Sequence, residues 1–217
     1  LRDYEELVFG REGAQVNTQI SVSGGDARTQ FYVSGAFKDE NGIIENTGFD
    51  RYSLRANIDH QFNERIDISS STNYINTKTN RGWTGNGGVG SVVQAVAFTP
   101  PFAQLLPNES GDYPDNPFFQ MNPLELIEYG ENEQEVNRFL QSLSANFELY
   151  NSGAHAVNFS LDGGVDFMNS NTMAYMPPFL QYQQSQANPG DVIHSAEKVL
   201  NINLQAFLVY NTTVGSE

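Results

Sequence analysis

The side chains of this 217-residue chain that could do chemistry are few and scattered. Its histidines, His60, His155 and His194, stand far apart, and none is spaced to share a face with a second ligand. No HExxH, GxSxG or phosphate-loop pattern occurs, so the sequence offers no catalytic residue and no reason to expect a metal or organic cofactor. Asp112 and Asp115 could present two carboxylates to a hard cation. The run Asp112-Tyr113-Pro114-Asp115-Asn116-Pro117 reads first as a turn cluster, however. Cysteine is absent, which removes thiolate metal sites, cysteine nucleophiles and a disulfide scaffold. What remains is recognition chemistry. Trp83, Phe102, Tyr113, Phe118 and Phe119 lie near Asn86, Asn116 and Asn122. Aromatic faces beside amide groups suit sugars and peptides, because the ring covers an apolar face while the amides take hydrogen bonds. These five aromatics are the candidate ligand-binding residues. Packing of the loop on itself, or against a partner protein, is the competing use of each ring.

The elements that must position them are strands. From Gln15 to Asn76 apolar and polar side chains alternate, as they do along a strand with one greasy and one wet face. The periodicity predicts strands at about 15–24, 28–37, 51–62, 65–78, 136–150, 155–167 and 198–210. Tyr52, Leu54, Ala56, Ile58, His60 and Phe62 share one face of the third, and Ser53, Arg55, Asn57, Asp59 and Gln61 the other. Strands of soluble sandwiches run about 5–6 residues, whereas a strand tilted across a bilayer needs about 9–11. Aromatics at both ends of the apolar stripe match the interfacial belts of membrane barrels. Connections alternate short and long. Gly24-Gly25-Asp26-Ala27, Asn63-Glu64 and Asn151-Ser152-Gly153-Ala154 read as tight turns, and long loops are expected at 79–135 and 168–197. Ser91 to Phe98 is apolar enough for a short helix ended by Pro100-Pro101. The reading is therefore all-β: an antiparallel segment of about seven strands from a large transmembrane β-barrel, with long extracellular loops. An odd count without a return strand cannot close a bacterial barrel, so the chain is expected to be a fragment.

Composition agrees with this. The chain is 39% hydrophobic and 17% charged, with a formal net charge of −15. Its mean hydropathy of −0.44 is what alternating strands average to, and no apolar run is long enough for a membrane helix. The acidic balance argues against a nucleic-acid partner, which needs a basic stripe.

Four stretches go further: Ser21-Val22-Ser23-Gly24-Gly25, Phe31-Tyr32-Val33-Ser34, Asp39-Glu40-Asn41-Gly42-Ile43-Ile44, and Arg51-Tyr52-Ser53-Leu54-Arg55-Ala56-Asn57. Their order and spacing resemble the SusC/RagA family of TonB-dependent outer-membrane transporters of Bacteroidetes. The likeness extends more loosely through Asn116-Pro117, Asn122-Pro123, Asn137-Arg138-Phe139 and Gly163-Gly164-Val165-Asp166-Phe167. The resemblance implies that residues 1–217 are part of one barrel domain of about 22 strands, without its plug. It implies import of oligosaccharides or peptides across the bacterial outer membrane, with a SusD-like surface lipoprotein as partner and TonB acting through an N-terminal region. A structural or adhesive outer-membrane barrel, or a soluble β-rich carbohydrate-binding module, is the alternative.

Overall fold

Alternation at period two produces the architecture directly. The computed structural model describes residues 1–85 and 90–213. Its strands are β1 (Gln15–Gly25), β2 (Thr29–Asn41), β3 (Gly48–Asn63), β4 (Ile66–Asn80), β5 (Glu131–Asn151), β6 (His155–Met176) and β7 (Asp191–Thr212). They form one seven-stranded antiparallel sheet in simple chain order.

Register sorts the side chains into two unlike faces. On one, Val33 sits between Val22 and Ala56, and Gly35 between Ile20 and Leu54. Leu143 sits between Ser70 and Gly163, and Val165 between Gln141 and Ile202. Leu54, Leu143, Ile202 and Leu204 remain more than half exposed, at 62%, 52%, 70% and 73%. Phe37 packs on Tyr52 with ring centroids 4.9 Å apart near one edge of this band, and Phe147 on Phe159 at 6.0 Å near the other. Ten residues separate Tyr52 from Phe62 on β3. At about 3.3 Å per residue and a tilt of about 40°, that is about 25 Å, the height of a barrel's lipid-facing band.

The opposite face is mostly polar, with Ile75, Leu140, Met168 and Val199 set among its polar side chains. One row runs Tyr32, Asn57, Ser71, Ser142, Gly164, Asn203, and the next Asp59, Ser69, Ser144, Asp162, Gln205. Ser71 donates to Asn57 at 2.8 Å, Ser144 to Asp162 at 2.5 Å, and Arg138 forks onto Asp166 at 2.8 and 2.6 Å. Such a face would be costly inside a sealed core and is satisfied beside water.

One end of the sheet is closed by short turns, each pinned by its own side chain. Asp26 accepts from the N–H groups of Arg28 and Thr29 at 2.8 Å, Asn63 from Arg65, and Asn151 from Gly153. Gly25 has φ of +149° and its Cβ would lie 2.1 Å from the Thr29 carbonyl, so no other residue fits there.

The other end carries the core. Among the described residues, every buried hydrophobic side chain lies outside the strands. Helices α1 (Tyr4–Phe9), α2 (Val92–Phe98), α3 (Pro123–Tyr129) and α4 (Gln181–Gln184) gather there with the β2–β3 connection. Val8, Ile44, Val92, Ala95, Met121, Leu126 and Leu180 form one cluster, and Tyr4, Ala103 and Leu105 a second. The Tyr4 hydroxyl donates to the Ala103 carbonyl at 2.7 Å and accepts from the Leu105 N–H at 3.2 Å, tying the opening segment to the longest loop. Asn46, at φ +59°, donates to the Ile127 carbonyl and ties in the β2–β3 connection.

The structure revises the expected boundaries in one direction. The strands expected at 136–150, 155–167 and 198–210 run Glu131–Asn151, His155–Met176 and Asp191–Thr212, so the loop placed at 168–197 shrinks to 177–190. Beyond Phe167 the outward row continues as Asn169, Asn171, Met173 against Lys198, Ala196, His194. The ladder persists where the hydrophobic alternation stops, because the strands outlast the apolar band. The loop placed at 79–135 becomes 81–130 and contains α3 as well as the expected helix.

Candidate functional site

The candidate aromatics all fall in the cap, and buried polar side chains set its shape. Asn122 is fully buried. Its amide donates to the carbonyls of Leu105 and Pro114 at 2.8 and 2.9 Å, while its oxygen accepts from Leu124 N–H and Glu125 N–H and so caps α3. Pro123 follows at the first helical position, where its missing N–H costs nothing. Asn116 donates to the Thr99 hydroxyl at 2.8 Å and to the Met121 carbonyl at 3.2 Å. Gln181 at the start of α4 completes the set: its side chain accepts from Asn116 N–H and donates to the Asn116 carbonyl, and its own N–H donates to Glu125 at 3.1 Å. The two long connections are thus joined.

Around this frame the five candidate rings divide. Trp83 and Phe119 pack against the cap core. The Trp83 indole N–H is buried against Gly130 and has no hydrogen-bond partner among the described residues. Phe119 also stacks on Phe98, with centroids 5.8 Å apart and planes 7° from parallel. Phe102 and Phe118 meet edge to face at 5.5 Å and are 62% and 45% exposed. Tyr113 meets Tyr129 edge to face, and Tyr129 meets Phe179 in the same way. Phe98, Tyr129 and Phe179 were not singled out from the sequence. Their only signal is being aromatic near proline and glycine, which does not say which ring faces outward. Asn86 lies outside the described residues.

The remaining candidates stay separate. His60 Nδ1 meets the Thr29 hydroxyl at 2.8 Å, His155 Nδ1 meets the Tyr210 hydroxyl at 2.6 Å, and His194 sits opposite Met173 on the outer extension of β7. Asp112 belongs to a turn in which Asn108 accepts from the N–H groups of Ser110 and Asp112 at 2.9 Å.

Charge in the cap is uneven, since no Lys or Arg occurs between Glu109 and Glu135. Burial pushes the Tyr113 hydroxyl above its ordinary value, with the Glu128 carboxylate adding to the effect. Burial likewise raises Glu125, against the pull of the Gln181 N–H and with help from Asp115. Between the ordinary carboxylate value and the raised one, the folded cap holds a proton that the unfolded chain has released. Cap stability therefore falls as pH rises through that window and is lower above it. Glu125→Gln keeps an acceptor for the Gln181 N–H and removes the ionisation. The expected result is a flatter pH dependence of Gln181 amide protection, with protection at neutral pH at or above that of the parent, read by hydrogen exchange.

No family model matches the chain. In sequence it is 21% identical to TonB-dependent receptor P3 of Formosa agariphila, over 99% of this chain and 21% of that protein. It is 25% identical to TonB-dependent receptor P26 of the same organism, over 82% of this chain. It is also 21% identical to TonB-dependent receptor SusC of Bacteroides thetaiotaomicron, over 68% of this chain and 16% of that protein. The chain spans about a fifth of the length of these relatives. In fold it is similar to the RagAB peptide importer in its closed-closed state, with a TM-score of 0.78 at 19% identity, covering 99% of this chain and 24% of that one. A second structure, of the RagAB peptide transporter, gives a TM-score of 0.76 over 95% of this chain. Along nearly its whole sequence this chain is similar to TonB-dependent receptors, SusC among them, and its sheet, with one lipid-facing and one wet side, has the fold of part of an outer-membrane β-barrel.

Proposed function

We propose that this segment supplies part of the wall and of the extracellular cap of an importer for oligosaccharides or peptides. Such an importer works with a SusD-like surface lipoprotein and draws energy from TonB through the receptor's N-terminal region. The observation that carries this reading is the division of labour in the fold. A sheet with an apolar band on one side and a mostly polar face on the other separates lipid from a wet passage, and among the described residues the packed core sits over one mouth.

Within the cap, Phe102 and Phe118 are assigned to the lipoprotein. They are exposed and carry no polar atom, which supports burial against a protein over contact with a hydroxyl-rich ligand. Tyr113 keeps a hydroxyl beside Tyr129, and that pair is assigned to ligand. Trp83 and Phe119 hold the cap in shape for both.

The test uses the full-length receptor in its own outer membrane. Phe102→Ser with Phe118→Ser is expected to cut co-purification of the lipoprotein about tenfold or more, the loss typical of truncating a buried aromatic pair, at unchanged receptor level. Full retention of the lipoprotein with lost uptake would reassign the pair to ligand. Deleting the receptor gene is expected to stop uptake of labelled oligosaccharide or peptide. Unchanged uptake of both would favour the adhesive barrel.

A further inference from the structure

We propose that Arg51 and Arg55 on the wet face of β3 form a site for the oxyanion groups, carboxylate or sulfate, of the solute that passes along this wall; the inference rests on the importer reading above. Cations are scarce in this chain, with 11 Lys and Arg against 26 Asp and Glu. Arg138 shows how the wall satisfies an arginine internally, by a two-pronged ion pair to Asp166 on the next strand. Arg51 and Arg55 are arranged differently. Arg51 lies between Lys38 and Thr77, and Arg55 between Ser34 and Asn73, so neither has a carboxylate across from it. Both are exposed, and among the described residues neither has an ion-pair partner.

They line a groove of about 280 Å³ that no carboxylate borders. Asn17, Gln19, Tyr32, Ser34, Ser53 and Asn73 also line it, and each can donate to an anion. Lys38 also borders it but is tied to Glu40 at 2.7 Å and lies over the Phe49 ring. The two guanidiniums therefore carry the free positive charge. A guanidinium is a planar fork of donors that matches carboxylate and sulfate with two parallel hydrogen bonds. Arg51 is level with the Tyr52 collar near the cap, and Arg55 lies four residues deeper, about 13 Å along the strand. That spacing suits successive anionic groups on one extended solute. Arg55 also borders the adjoining groove, where Asp59, Asp162 and Asp166 give the opposite sign, so the attraction is local to β2 and β3.

A carboxylate elsewhere in the receptor's own chain could supply the same chemistry, and the test separates the two sources. The full-length receptor in outer-membrane vesicles is treated with phenylglyoxal, which modifies accessible arginines, and adducts are mapped by mass spectrometry. Arg2 and Arg11 on the exposed opening segment serve as references. The expected result is rapid modification of Arg51 and Arg55. Sulfate or succinate at several times its Kd, at constant ionic strength, should slow it about fivefold and leave Arg2 and Arg11 unchanged. Absence of adducts at Arg51 and Arg55 without added anion would mean the receptor's own carboxylates hold them, and would overturn the proposal. Adducts that neither anion slows would overturn it as well. The importer reading survives both of those results, because uptake measures it separately.

Discussion

Arginine in place of Leu143 is expected to weaken the folding equilibrium of the full-length receptor about a hundredfold, whereas lysine in place of Ser142 is tolerated. The two residues are neighbours in sequence and opposites in environment. Leu143 points from the apolar face at the middle of its band, four residues from Phe139 and four from Phe147, with Gly163 beside it on β6. A cation at the bilayer midplane of a barrel costs about 2–4 kcal/mol, and at 1.4 kcal/mol per decade that is roughly two orders of magnitude in the folding equilibrium. Ser142 points into the polar row with Ser71 and Gly164, where water solvates an ammonium at little cost. The measurement is a urea titration of receptor reconstituted in lipid vesicles, read by the gel shift between folded and unfolded barrels. Equal stability of the two variants would mean that this face does not meet lipid.

The second large effect is expected at Asn122. Asn122→Ala removes two donated hydrogen bonds and the cap of α3 at once. It strands the Leu105 and Pro114 carbonyls where the side chain is wholly buried. A lost helix cap costs about 1 kcal/mol and an unsatisfied buried polar group about 1–3 kcal/mol, so the cap should lose about 3 kcal/mol. Strand stability should hardly move, because the sheet shares none of these bonds. Hydrogen exchange separates the outcomes: α2 and α3 lose protection while β3 to β6 keep theirs. A uniform loss across sheet and cap would show that the two unfold together. Asn122→Asp keeps the helix cap but loses both donors and sets a buried carboxylate oxygen against the Leu105 and Pro114 carbonyls, so it should cost the cap at least as much as Asn122→Ala.

Individual residues show how far the sequence could be read. Tyr52, Leu54 and Ile58 against Ser53, Arg55 and Asn57 identify a membrane strand without any tertiary information, because a two-sided environment imprints period two on the chain. Asn122-Pro123 shows the reverse. Read as loop punctuation, it is the capping asparagine and first-position proline of α3. The difference lies in whether the seven residues of α3 find a core to pack on, which depends on Val92 and Leu180 arriving from elsewhere in the chain. Met168 to Met176 is a third case, a strand hidden from periodicity since both its faces are outside lipid.

Local chemistry, then, determined the strands, their faces, the short turns at Asp26, Asn63 and Asn151, and through them the barrel wall. Each follows from neighbours in sequence and from a solvent that differs on the two sides of one sheet. Only the tertiary structure decided the cap. Tyr4 reaches Ala103 and Leu105 across the chain, Asn116 and Glu125 reach Gln181, and those hydrogen bonds choose which of the loop aromatics face inward and which outward. The pairing of Arg138 with Asp166, and the isolation of Arg51 and Arg55, were settled the same way. Strand register places one charge within reach of its opposite and leaves the others beside lysine, serine, threonine and asparagine.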